Sequence, residues 1–92
     1  MPPGRKPRRC KCRFAGKAFK PTGVPLTEIE HIPVTRDELE TLKLCDLDGL
    51  TQTEAGERMG VSRGTVQRTL TEARRKVAKA LACGKAIVFQ HP

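Results

Sequence analysis

The chain has no tryptophan, no tyrosine and only three phenylalanines, Phe14, Phe19 and Phe89. That scarcity argues against a surface that stacks unpaired bases, which needs several aromatic side chains. No apolar run approaches the roughly 18–20 residues that span a bilayer, so no membrane segment is expected. The N-terminus is basic but lacks the apolar stretch of a secretory signal, and a cytoplasmic location is the expectation. There Cys10, Cys12, Cys45 and Cys83 stay reduced. A Ser/His/Asp set, a phosphate loop and paired carboxylates in an apolar setting are also missing, so neither an enzyme nor a cofactor is expected. His31, in a loop before Pro33, and His91, almost terminal, read as surface residues. With 92 residues and 37% hydrophobic content, one small domain with a small core is expected.

Charge is plentiful but unevenly placed. Residues 1–20 hold eight Lys/Arg and no acid; residues 21–60 hold three basic and nine acidic residues; residues 61–92 hold seven basic and one acidic. The net +8 therefore divides into two cationic ends around an anionic middle. Such polarity implies an oriented electrostatic face rather than loose polyanion binding. The plainer reading is a solubilising tail plus a solvated helix face.

Four segments follow from the pattern. Residues 1–20 form a basic arm, Pro/Gly/Arg-rich to about Arg9, with a short strand at Cys10–Phe14 suggested by alternation. Its expected partner is the β-favouring run Ala86–Phe89 in the tail, residues 84–92, within one chain or between two. Residues 21–34 contain Pro21, Gly23, Pro25 and Pro33 and read as an ordered loop, with Val24, Leu26, Ile29 and Ile32 packing on helices. Residues 35–83 carry three helices.

The first helix is expected from Arg36 to Leu47, opened by a Thr35/Glu38 capping box, with Asp37 and Glu38 at the positive end of its dipole. Leu39, Leu42 and Leu47, with Leu44 or Cys45, supply its buried stripe, and Gly49 ends it. The second covers Gln52 to Met59, opened by Thr51 with Glu54 and closed by a left-handed Gly60. The third starts after the Ser62 cap and runs to Cys83, stopped by Gly84. Val66, Leu70, Ala73, Val77 and Ala80/Leu81 mark its buried stripe; Gly64, Arg68, Thr71, Arg75 and Lys79 lie roughly opposite. At 1.5 Å per residue it is about 30 Å long, more than a DNA groove needs.

Two helices joined by a tight glycine turn, with small Gly56 allowing close approach, form a helix-turn-helix pattern whose second helix suits the major groove. Arg63, Gln67, Arg68 and Thr71, on its first turns, are the candidates for base edges; Arg pairs with guanine and Gln with adenine. Arg63 lies nearer the buried side and is alternatively a phosphate ligand. Thr51 and Ser62, at helix N-termini, suit phosphates. Arg74, Arg75 and Lys79 lie further along and are candidates for the DNA backbone. Arg68 has a duller reading, pairing with Glu72 on the helix surface, as Glu72 does with Lys76. Arg5, Lys6, Arg8 and Arg9 suit a minor groove or phosphates, or else a solubilising tail.

The run Thr51–Val77, ending Glu72-Ala-Arg-Arg-Lys-Val77, resembles region 4 of bacterial sigma factors. Over about residues 5–88 the chain is similar to the prokaryotic UPF0251 (DUF134) family of predicted DNA-binding proteins. The matching pieces include Arg5-Lys-Pro-Arg-Arg9, Phe19-Lys-Pro-Thr-Gly-Val-Pro25, Thr35-Arg-Asp-Glu-Leu-Glu40, Leu44-Cys-Asp-Leu-Asp-Gly49, Met59-Gly-Val-Ser-Arg63, Ala73-Arg-Arg-Lys-Val77 and Gly84-Lys-Ala86. The Phe19–Pro25 loop and the Gly84-Lys-Ala86 end favour this family over a sigma factor. The resemblance implies a mainly α, helix-turn-helix fold of the sigma region 3/4 type within the winged-helix-like class, and a role in DNA binding without a settled target. Two residues depart from it: Gly56 stands where alanine is usual, and Gly64 where a longer polar side chain is common.

Three classes compete: a sequence-specific regulator of double-stranded DNA, as a homodimer; a sigma-like module contacting RNA polymerase; and an enzyme. Cys10-Lys-Cys12 is a C-x-C, not the C-x-x-C knuckle of most zinc sites, and gives a weaker metal- or redox-responsive alternative.

Overall fold

A computed structural model describes residues 18–90. Within them the chain runs β1 (Ala18–Phe19), a 3-10 turn (Leu26–Glu28), β2 (His31–Thr35), α1 (Arg36–Thr41), a π-helical continuation (Leu42–Leu47), α2 (Gln52–Met59), α3 (Arg63–Cys83) and β3 (Ala86–Gln90). The protein is mainly helical, with a small three-stranded sheet. No helix among the described residues is long and apolar enough to cross a membrane.

β3 lies in the middle of the sheet, antiparallel to β1 and parallel to β2. Ala18 pairs with Val88, and His31 through Thr35 pair with Ala86 through Gln90. A parallel pair needs a long crossover, and all three helices supply it. The strand at Cys10–Phe14 lies outside the described residues; the neighbours that β3 takes are Ala18–Phe19 and His31–Thr35.

β2 is the main departure from the expected loop over residues 21–34. Its side chains alternate, with Ile32 and Val34 buried while His31 and Pro33 face out. Pro33 is tolerated because β2 is an edge strand, where a missing N–H breaks no ladder; its carbonyl accepts from Lys76 Nζ at 2.7 Å. Val24, Leu26 and Ile29 are half-buried.

Local chemistry accounts for the helix ends. Thr35 accepts from Glu38 N–H at 3.1 Å while Glu38 Oε1 accepts from Thr35 N–H at 2.9 Å, a complete capping box. From Leu42 the helix widens: Asp48 N–H reaches back five residues to the Lys43 carbonyl at 2.8 Å. A π turn does not keep the 3.6-residue period, so the expected stripe holds through Leu44 and fails at Leu47. Leu44 is buried, but Leu47 is 76% exposed, which corrects its assignment to the core. Glu38, Glu40 and Thr41 are buried instead.

α3 is the spine. Val66, Leu70, Ala73 and Ala80 are buried on one stripe; Val77 is half-buried and Leu81 is 77% exposed, so Ala80 closes the stripe. The first half of α3 packs through Val66 on Leu44 and Ala55, with Cys45, Leu50 and Met59 around them. α3 also packs against β2 and β3, and Lys76 in its second half bonds the Pro33 carbonyl of β2. The extra length of the helix thus completes the core with Ile32, Val34 and Ala86.

Candidate functional site

α2, a short turn and α3 form one stiff unit. Thr51 and Glu54 make a second capping box, with bonds of 3.1 and 2.9 Å. Gly60 ends α2 at φ +74°, a left-handed conformation that glycine adopts without strain. Val61 N–H then returns to the Gly56 carbonyl at 2.9 Å. At Gly56 the helices are as close as backbone permits. A β-carbon there would lie 2.6 Å from the Val61 carbonyl oxygen and 3.5 Å from Val66 Cγ2. Alanine thus does not fit the approach as it stands; the turn must open to admit it.

Ser62 caps α3 by accepting from Thr65 N–H at 3.1 Å. Arg63, Gln67, Arg68 and Thr71 are all exposed; Arg68 and Thr71 point away from the buried Val66 and Leu70, while Arg63 lies on the rim of that buried stripe. The structure therefore brings the four expected base-edge residues onto the first three turns of one helix. Arg68 Nη2 donates to Thr65 Oγ1 at 3.3 Å, and among the described residues neither Arg63 nor Arg68 is ion-paired. The expected Arg68–Glu72 pair is not formed, because Glu72 turns to Arg75.

Further along α3 every basic side chain has a carboxylate. Arg74 binds Asp46 through two bonds of 3.0 and 2.6 Å. Arg75 binds Glu72 through two bonds of 3.1 and 2.6 Å. Lys79 lies 3.7 Å from Glu30, and Lys76 lies 2.8 Å from Glu38 rather than on Glu72. The hydrogen bonds from Arg74 and Arg75 hold the Asp46 and Glu72 carboxyls below their ordinary range. Asp46 escaped the sequence reading because it lies 28 residues from Arg74, with no local spacing to connect them. The cationic character of α3 is thus uncompensated only at its N-terminal half.

Thr51 and Ser62 are exposed, each with its hydroxyl engaged in a cap. Arg5, Lys6, Arg8 and Arg9, the Cys10/Cys12 pair and His91 lie outside the described residues. His31 is exposed and its Nε2 donates to the Leu26 carbonyl at 2.7 Å. Cys45 is half-buried and Cys83 exposed, both free thiols. Burial, with Asp46 alongside, pushes the Cys45 thiol up, away from the reactive thiolate. Among the described residues no three His, Cys, Asp or Glu side chains gather in a way that could hold a metal ion.

Comparison with known proteins agrees with the resemblance. The family model described as "Protein of unknown function DUF134" matches residues 1–91. A UPF0251 protein of Vibrio parahaemolyticus is 48% identical over 82 residues, 89% of this chain and 85% of its own. One from Desulforudis audaxviator is 48% identical over 86 residues, 91% of this chain but 56% of its own. One from Aeromonas salmonicida is 42% identical over 90 residues, 98% of this chain and 88% of its own. The chain thus spans most of some relatives and about half the length of others. No solved structure matches. This chain belongs to the DUF134 family, whose curated relatives carry the name UPF0251.

Proposed function

We propose that this protein binds double-stranded DNA as a helix-turn-helix regulator of the sigma-like type, with the first turns of α3 in the major groove. One observation carries the reading: Arg63, Gln67, Arg68 and Thr71 are exposed on the first turns of α3, and among the described residues neither guanidinium there has an acidic partner. That face suits base edges, which offer acceptors on guanine and mixed donors and acceptors on adenine. Thr51, Ser62 and the arm residues Arg5, Lys6, Arg8 and Arg9 are assigned to phosphates, where backbone amides at helix starts and arginine side chains hold register without reading sequence. Arg74, Arg75 and Lys79 reach phosphate only by exchanging a carboxylate partner, so they rank below the first turns of α3.

Selection of bound duplexes from a random pool tests this. Enrichment of a defined site is expected, and a palindrome would make the acting form a homodimer. Affinity should fall with salt at a log–log slope of about −0.9 per phosphate neutralised, and deleting residues 1–9 should flatten it. A chain that enriches nothing and binds no duplex at low salt, yet captures RNA polymerase, would overturn the DNA reading in favour of a protein contact.

A further inference from the structure

The first turn of α3 carries a chain of polar contacts that its role in capping does not require. Ser62 Oγ accepts from Thr65 N–H at 3.1 Å and donates to Thr65 Oγ1 at 3.0 Å. Thr65 Oγ1 in turn accepts from Arg68 Nη2 at 3.3 Å. Residues 62, 65 and 68 follow at three-residue intervals, so they line one strip of the helix surface. The guanidinium of Arg68 therefore folds back over the preceding turn instead of extending freely into solvent. Gly64 sits beneath it: a β-carbon there would meet Arg68 Nη1 at 3.6 Å. That is ordinary contact, so alanine fits, but any longer side chain would compete for the space the guanidinium occupies.

We propose that Thr65 is a positioning residue that presets Arg68 to read one guanine in the major groove, and that Gly64 is the gap that makes this pose available. The inference rests on the DNA-binding reading above. A free arginine on an exposed face loses rotamer freedom when it docks, and that loss opposes binding. Holding the guanidinium before docking removes part of it. One of its five N–H groups goes to Thr65, which leaves four, enough for a bidentate bond to O6 and N7 of guanine. No carboxylate of the described residues competes for Arg68. The glycine at position 64, where a longer polar side chain is common in the family, thus leaves room for its neighbour's contact.

The test compares the full chain with T65V, T65S, G64Q, R68A and the T65V/R68A pair, on the selected duplex and on duplexes with each base replaced. In the wild type, R68A should remove preference for one guanine by about tenfold or more. T65V should reduce preference at that same position by about two- to tenfold, the worth of one ordinary solvent-exposed hydrogen bond, with an unchanged salt slope. T65S should restore it, G64Q should mimic T65V, and the double variant should discriminate no worse than R68A alone. Equal weakening on every duplex with a flatter salt slope would overturn the proposal, because it would place Arg68 on phosphate. So would a T65V variant that prefers the guanine as strongly as the wild type. A wild type that binds no duplex would remove the DNA reading itself, and this inference with it.

Discussion

Lys76 links three parts of the fold, and its removal measures what that link is worth. Its Nζ donates to Glu38 Oε1 at 2.8 Å and to the Pro33 carbonyl at 2.7 Å. The bonds tie α3 to the start of α1 and to the edge strand β2. The two side chains are 15% and 10% exposed, so water does little to screen the pair. Lys76→Met keeps most of the aliphatic stem and deletes the charge, which isolates the polar contribution from packing. Leaving one member of a buried pair alone typically costs about 3–5 kcal/mol. Here Glu38 Oε1 keeps its bond from Thr35 N–H, so a loss of about 2–3 kcal/mol is expected. For a chain of this size that lowers the melting temperature by roughly 10–20 °C. Urea denaturation followed by circular dichroism gives the number. The internal control is Arg75→Met, whose pair with Glu72 is 60% and 44% exposed, so solvent screens it and its loss should leave stability almost unchanged. Glu38→Gln in the Lys76→Met background should recover part of the loss, since the stranded charge is gone. If Lys76→Met proved no more costly than Arg75→Met, the buried-pair reasoning would be refuted.

Asp46→Asn should free Arg74 for phosphate, raising non-specific duplex affinity and steepening the salt slope by about one unit; an unchanged slope would keep Arg74 off the DNA. The Asp46 carboxyl sits below its ordinary range in the folded chain, so the Arg74 pair stabilises above the unfolded value near pH ~4 and fades as pH falls through the folded one. In an acid titration of stability the wild type should therefore exceed Asp46→Asn by a small, constant margin above that window, small because both side chains are well exposed, and the margin should vanish as pH falls through it. Gly56→Ala gains up to about 1 kcal/mol of helix propensity but must displace the Val61 carbonyl, an overpacking cost of about 1–3 kcal/mol; thermal melting should show a net loss. Leu47→Gln should change stability by less than about 0.5 kcal/mol, where a core leucine would cost several times more.

Some elements were legible because their causes are local. A capping box needs only four consecutive residues, and Thr35–Glu38 and Thr51–Glu54 both form as their spacing implies. α2 and α3 begin and end where Thr51, Gly60, Ser62 and Gly84 place them. Arg68 and Thr71 lie opposite the buried stripe as helical periodicity implies, and Arg63 and Gln67 joined them as residues of the first turns of α3. β2 escaped notice because Pro33 signals a break in isolation and becomes harmless only on an edge strand. Leu47 was misplaced because a π turn cannot be read from apolar spacing.

By itself, then, the amino-acid order determined the helices, their caps, the glycine turn and the separation of charge along the chain. All of these are set within a few residues by backbone hydrogen bonding and periodicity. Only tertiary structure decided which cations remain unpaired. Asp46 meets Arg74, Glu38 meets Lys76 and Glu30 approaches Lys79 across 28 or more residues, while among the described residues Arg63 and Arg68 meet no acid. Coulomb attraction depends on distance in space, and folding alone sets that distance.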